Sequence, residues 1–412
     1  MSKSIEELIE EFDYTDPETC ERLYEAYAAL RERSAAVYSP KFGGHWAVTR
    51  YEEIVNINKD TSTYTNTGGV TIPDVGNEVR TIPLEVDPPE HTKYRRFLGP
   101  RFRKAEVDKM DPTIRRIVLR CLNEIRESGR CDLVPALTEQ VPSIVIADLL
   151  GLPEKDWDAF RAWTVEMQRT AYEGDSEANA KVAQQLGGYL AQAIESRRGV
   201  EEDDGGILHQ LANGLVEGES IPPERALGMS ILLLMAGHET TAHAGAAVLH
   251  LLATEPGVRE RLLADPEQIT PFVNEALRYE GSVTGMSRTA TCPHQLDGND
   301  IAEGDKLLLL YTAANHDPRV YSNPDSFDMD RNERSHLAFG YGAHRCLGEQ
   351  VAILELKVIV SEVLRVMPDY ELVPGFQLEH TPWVGRGPVA LPVTFTPSPR
   401  EEIAPSAAEA AV

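Results

Sequence analysis

The sequence predicts a mainly α protein, a helical body with small β-sheets at one side. Three observations predict it. Helical periodicity dominates from about residue 90 to 280, and short strand-like runs such as "DKLLLLYTAA" and "PVALPVTFTP" follow it. No internal repeat or clean linker divides the 412 residues, and 42% hydrophobic content supplies a sizeable core.

In chain order, residues 1–19 read as a polar lead, because "MSKSIEELIEEFDY" is acidic and amphipathic and has no apolar signal core. A single domain then spans 20–396. Short β-type stretches begin at "GGHWAVTRYEEIVNIN" and run into an amphipathic helix. Residues 61–91 are rich in Thr, Gly and Pro without periodicity, so they form a long loop, and loops of that length tend to carry function. The helical region breaks at "GLPEKD", "YEGDSEAN", "GVEEDDGG" and "EGESIPPE". A long helix follows "CLGEQ" among the late strands. Residues 397–412 carry few bulky apolar side chains and read as a disordered tail.

Charge and cysteine usage narrow the function. Lys plus Arg total 40 against 66 for Asp plus Glu, a net charge of -26. Such a surface repels phosphate backbones and anionic lipid, so neither nucleic acid nor membrane is expected as a partner. The most apolar run, "ALGMSILLLMAG", is too short to cross a bilayer. The five cysteines are Cys20, Cys121, Cys131, Cys292 and Cys346. An odd, scattered set without C-x-x-C fits neither a disulfide framework nor a zinc knuckle, which points to a reducing, cytoplasmic setting. Four of them read as inert packed thiols.

Cys346 differs. It lies in "HLAFGYGAHRCLGEQ" at the mouth of a helix, beside His344 and Arg345. The helix dipole and local positive charge favour its thiolate. Gly340, Gly342 and Gly348 allow a tight turn close to something flat and bulky, while Phe339 offers an apolar lid. Backbone N–H groups in such a loop can hydrogen-bond the sulfur. Together these features describe a thiolate ligand of haem iron.

A second motif is "LLLMAGHETTAH". Gly237 leaves room beside a helix for dioxygen, and a Thr hydroxyl bonding back to an upstream carbonyl loosens the helix locally. The run suggests the zinc pattern H-E-x-x-H, but Ala242 stands four residues after His238 and His243 falls one position late, so zinc is not expected. Glu275 and Arg278 face one another at i and i+3 on a third helix. Such a pair is commonly a surface feature of little energetic weight. Last, burying a group with two carboxylates requires paired cations. His91 and Arg95, four apart, share a helical face, and Arg288 opens a strand-like run.

"FGYGAHRCLG" resembles the haem-binding loop of the cytochrome P-450 superfamily, F-x-x-G-x-x-x-C-x-G, and the other motifs follow in the family's order from about residue 20 to 396. The chain looks like the soluble bacterial, ferredoxin-dependent type. The resemblance implies a haem-thiolate monooxygenase with haem b on Cys346. It implies that Ala236, Phe339, Gly340 and Gly348 lie along the haem and that His91, Arg95, Arg288 and His344 hold its propionates. Thr240 would hydrogen-bond the oxygen being activated, Glu239 would relay protons and Gly237 would give dioxygen space. Glu275 and Arg278 match the family's structural E-x-x-R pair. Many relatives carry Arg where this chain has Ser326, and Arg331 is the candidate substitute. His316 reads as structural.

By the same resemblance the substrate pocket is lined by the 64–85 loop, the 165–180 segment, Leu233, Val283, Met286 and Trp383, with Arg80 and Arg169 as the available carboxylate anchors. A neutral terpenoid, steroid or other hydrophobic small molecule is expected as substrate. The implied electron donor is an acidic ferredoxin with a separate NAD(P)H-dependent reductase. It would dock on a monomer near Arg96, Arg103, Lys104 and Arg345. A peroxide-driven peroxygenase and a non-catalytic haem sensor are the alternatives, and the intact Glu239–Thr240 pair argues against both.

Overall fold

The computed structural model describes residues 3–73, 80–173 and 175–403, with the backbone alone for residues 168 and 171–173. Its centre is the helix Pro223–Thr254, 32 residues and so roughly 48 Å long. Pro223 sits in the first turn, where its missing N–H breaks no hydrogen bond. From Ala242 to Leu252 almost every side chain is buried, because helices Gln140–Leu150, Ser176–Glu195, Ile269–Tyr279 and Glu349–Val366 surround this segment. Their apolar faces merge into one large core.

Helix Gln140–Leu150 is apolar nearly all round, as an element buried between neighbours must be, and Gly151 ends it at φ +83°. It crosses the central helix closely at Gly237. A Cβ there would lie 2.9 Å from Ile146 Cδ1. The missing side chain makes way for Ile146, which lines the same cavity as this glycine.

A five-stranded sheet flanks the helical body in the order Ala36–Ser39, His45–Val48, Lys306–Leu309, Met286–Ala290, Tyr64–Thr65. Lys306–Leu309 pairs parallel with His45–Val48 and antiparallel with Met286–Ala290, placing Leu307 opposite both Trp46 and Arg288. Met286 and Arg288 are two apart on one strand, so they leave the same face. That face meets the helical body. A smaller sheet joins Glu371–Leu372, Pro392–Thr394 and Arg130–Asp132.

Both expected ends of the domain move outward. Residues 1–19 are not merely a polar lead, since helix Ile5–Glu10 starts with a Ser4–Glu7 capping box and buries Leu8 and Ile9. Ile9, Phe12 and Tyr14 join a core with Tyr27 and Leu30. The acidic residues lie on the opposite face of the helix, and their number concealed the apolar stripe. At the other end, Ser398 N–H donates to the Arg126 carbonyl at 2.9 Å. Glu401 pairs with Arg126 at 3.0 Å and with Arg365 at 2.8 Å. Polar anchors hold this segment, and low hydrophobicity alone could not reveal them. The rest of the expected tail, 404–412, lies outside the described residues, as do 74–79 of the long loop. Among the described residues no helix is long and apolar enough to cross a membrane.

Phe12→Ala should lower stability by about 3–5 kcal/mol, read from denaturant unfolding. A solvated lead would show a change within about 0.5 kcal/mol.

Candidate active site

A cavity opens between the central helix, the strand Met286–Ala290 and the loop before helix Glu349–Val366. Its empty volume, mouth included, is about 1530 Å³.

The Cys346 loop forms one wall. Gly340 and Gly342 turn at φ +67° and +74°, and a Cβ on Gly342 would also collide with the Asn58 carbonyl. Only glycine meets both demands. The Cys346 N–H donates to the Phe339 carbonyl at 2.8 Å and closes the turn. Cys346 is exposed only towards the cavity that it lines. Burial pushes its thiol up, while the backbone N–H of Gly348 and the charge of Arg95 pull it back. A Cβ on Gly348 would sit 4.0 Å from the sulfur.

Facing it, Leu233, Ala236, Gly237, Thr240, Thr241 and Ala244 line the cavity at helical spacing. Thr240 Oγ1 donates to the Ala236 carbonyl at 2.7 Å, which leaves its lone pairs for a donor in the cavity. Glu239 lies one residue round the helix and is not part of this wall. Its carboxylate lies against the backbone of Gly385.

At one end the cavity collects His91, Arg95, Arg288 and His344. The two imidazole rings stand 4.2 Å apart, centroid to centroid. Both His91 nitrogens and His344 Nε2 are buried with no hydrogen-bond partner among the described residues. Arg288 donates to Asn58 Oδ1 at 2.7 Å and Arg95 donates to the Arg345 carbonyl; neither holds a carboxylate. Burial, aided by Arg95, pushes His91 down to about 4. Burial, aided by His91, Arg288 and Arg95, pushes His344 down to about 3. Orphaned ring nitrogens are costly to bury, so this end fits a ligand that brings its own anionic oxygens. Two propionates of a haem whose iron meets Cys346 have that chemistry.

Comparison with known proteins agrees with this geometry. A family model described as cytochrome P450 matches residues 175–367. The cytochrome P450 monooxygenase PikC of Streptomyces venezuelae is 34% identical over 90% of this chain and 91% of its own length. The chain belongs to the cytochrome P450 family. A steroid C26-monooxygenase of Mycolicibacterium smegmatis is 31% identical over 85% of this chain and 88% of its own. Among solved structures, the cytochrome P450 PksS of the Bacillus subtilis bacillaene polyketide synthase superimposes with a TM-score of 0.85 at 27% identity, covering 93% of this chain and 100% of that one. This P450 is therefore an oxygen-incorporating oxidoreductase with a haem-thiolate cofactor.

The rest of the site can be read in that frame. Glu275 and Arg278 form a buried double hydrogen bond at 2.7 and 2.8 Å. Arg331 Nε joins Glu275 at 3.2 Å, and its Nη2 donates to the Ser326 carbonyl at 3.0 Å. A carboxylate between two guanidinium groups thus ties helix Ile269–Tyr279 to the segment that precedes the Cys346 loop. His316 lies beside this cluster between Asp325, at 2.8 Å, and the Tyr279 carbonyl, at 3.0 Å.

Leu233, Val283 and Met286 line the cavity; Trp383 does not. Its carbonyl accepts from Thr284 Oγ1 at 3.2 Å, and that backbone pairing holds the tryptophan outside the lining. Arg80 and Arg169 are exposed, and Arg169 pairs with Glu166 at 2.7 Å, so neither serves as an anchor inside the cavity. Residues 74–79 and the side chains of 168 and 171–174, parts of the expected pocket lining, lie outside the described residues. Of the expected docking patch, Lys104 pairs with Asp108 and Arg345 with Glu349, each at 2.7 Å. Arg96 and Arg103 are exposed without an ion pair among the described residues.

Sequence reasoning missed Asn58, which holds Arg288 from 230 positions away and carries no motif. It also missed Glu355, which lines the cavity with its Oε2 unpartnered and its carboxyl raised well above the usual range by burial. Its place inside the apolar run "VAILELKVIV" was a readable signal.

Glu275→Ala should strand two buried guanidinium groups and lower stability by about 3–5 kcal/mol, read as a drop in denaturant midpoint. A surface pair would lose about 1 kcal/mol or less.

Proposed function

We propose that this P450 inserts one atom of dioxygen into a C–H bond of a neutral, hydrophobic small molecule of terpenoid or steroid type. Its electrons come from a ferredoxin served by a separate NAD(P)H-dependent reductase, and it works in the cytoplasm. The observation that carries the reading is the cavity itself, which has a cysteine sulfur on one wall, a threonine-bearing helix on the other, and two arginines beside orphaned histidine nitrogens at one end. Haem b bound there supplies the redox chemistry of dioxygen activation.

The protein's own groups bind, orient and deliver protons. Cys346 would give the sulfur that holds the haem iron, with the N–H groups of Gly348 and Glu349 tempering its charge. His91, Arg95, Arg288 and His344 would hold the propionates, while Ala236, Phe339, Gly340 and Gly348 would flank the ring. Thr240 accepts a hydrogen bond while its own O–H donates to the Ala236 carbonyl. Glu239 carries protons inward from outside the cavity wall. Arg278 is held by Glu275 and Arg331 as part of the scaffold.

Substrate preference follows from the lining. Around Thr240 the described wall is Leu232, Leu233, Val283 and Met286, with Ser282 its polar member. Among the described residues no cation stands there to anchor a carboxylate, so neutral ligands are favoured over acids. The steroid in the name of the mycobacterial relative fits the same preference. For ferredoxin, Arg96 and Arg103 are the exposed cations on the Cys346 side of an otherwise acidic body.

Two outcomes test this. Reduced protein under carbon monoxide should show the absorption maximum diagnostic of thiolate ligation, and Cys346→Ala should abolish it. Thr240→Ala should keep that maximum yet divert electrons to peroxide, with about a tenfold or greater loss of product per electron pair. An unchanged product yield in Thr240→Ala would overturn the role given to that hydroxyl. Separately, Arg96→Glu with Arg103→Glu should cut ferredoxin-supported turnover about tenfold at low salt, while substrate binding, followed by the haem spin shift, stays unchanged.

A further inference from the structure

His243 has no part in the chemistry described above, yet it is buried at the same station of the central helix. It stands four residues beyond Glu239, on the same helical face. Its Nδ1 is buried and finds no hydrogen-bond partner among the described residues. Leaving a ring nitrogen in that condition costs about 1–3 kcal/mol, so the position calls for a functional explanation.

What surrounds it is specific. The turn Thr381–Gly387 closes on itself through Thr381 N–H to the Gly387 carbonyl at 3.0 Å and Thr381 Oγ1 to the Gly385 carbonyl at 2.8 Å. This turn presses two glycines onto the helix. A Cβ on Gly387 would collide with the His243 side chain. A Cβ on Gly385 would collide with Glu239 Oε1 and come within 3.2 Å of His243 Nδ1. The carboxylate and the ring nitrogen therefore share one small space beneath Gly385, on the side of the helix turned away from the cavity. Arg386, between the two glycines, pairs with Glu280 at 2.9 Å, and His380 approaches the same carboxylate at 3.7 Å. These groups and His238 are the charged or titratable neighbours of His243, and burial with the two histidines pushes its ring down to about 3. At neutral pH it is an uncharged imidazole that can donate or accept at Nδ1.

We propose that His243 is a positioning residue for Glu239. Its Nδ1, unpartnered where the carboxyl now lies, takes a hydrogen bond with that carboxyl after a small rotation within the space beneath Gly385, and the Gly385–Gly387 turn bounds that space. Glu239 serves the cavity by turning from this space towards Thr240, and His243 defines where it returns. The inference rests on the reading of Glu239 as the residue that carries protons inward.

The test uses the holoenzyme and has a readout other than turnover. The infrared band of the Glu239 carboxyl is assigned by its loss in Glu239→Gln. His243→Phe should shift that band and raise peroxide released per electron pair by about ten- to a hundredfold, with the thiolate–carbon monoxide absorption and the substrate dissociation constant unchanged. His243→Gln, which keeps a polar group in place, should restore most of both. Gly385→Ala provides a variant that retains His243, and it too should shift the band, because the added carbon displaces the acid. An unmoved carboxyl band in His243→Phe or, if that variant does not fold, in Gly385→Ala overturns the positioning role. Unchanged peroxide release in Glu239→Gln would overturn the reading of Glu239 instead, with the infrared band still deciding where its carboxyl rests.

Discussion

Two histidines and two arginines are driven into one end of a buried cavity, and none of the four is hydrogen-bonded or ion-paired to a carboxylate among the described residues. Such a cluster opposes folding until an anion arrives. The surrounding walls must therefore be rigid enough to hold the groups in place. The five-stranded sheet supplies Arg288, helix Glu90–Leu98 supplies His91 and Arg95, and the turn before Cys346 supplies His344. Where a partner was needed for Arg288, the fold used the neutral amide of Asn58, which satisfies the guanidinium without cancelling its charge.

Close approach is the second requirement, and it is met by removing side chains. Gly237 admits Ile146, Gly342 admits the Asn58 carbonyl, and Gly385 admits the Glu239 carboxylate. Each brings two elements nearer than a methyl group would permit. The first two fix the cavity walls, which suits a site that must preserve its geometry through turnover. The third lies against the end of a flexible side chain rather than against backbone.

Outside the cavity, the Glu275–Arg278–Arg331 cluster fixes the segment leading to Cys346. A buried carboxylate with two guanidinium partners and several backbone carbonyls satisfies nearly all its hydrogen-bonding groups, and this separates it from the weak surface pairs elsewhere on the chain. The body around it carries a net charge of -26. On such a background, Arg96 and Arg103 are exposed without an ion pair among the described residues, while Lys104 and Arg345 are offset by Asp108 and Glu349.

The amino-acid sequence by itself indicated the fold class, the glycine turn around Cys346, the Thr240 helix, the two histidines and two arginines that meet at one end of the cavity, and the acid–arginine pair with Arg331. All of these are local: a spacing, a cap or a helical face is encoded within a few residues. The tertiary structure alone decided that Gly237 packs against Ile146 in the cavity wall, that Trp383 is not part of the lining, that Arg80 and Arg169 stay on the surface, and that residues 4–14 and 397–403 belong to the folded body. It also decided that Asn58 holds Arg288, that Glu355 lines the cavity, and that His243 shares a space with Glu239 beneath Gly385. Each of those depends on which distant backbone passes within van der Waals range, and the packing of separate elements fixes that distance without leaving a periodic trace along the chain.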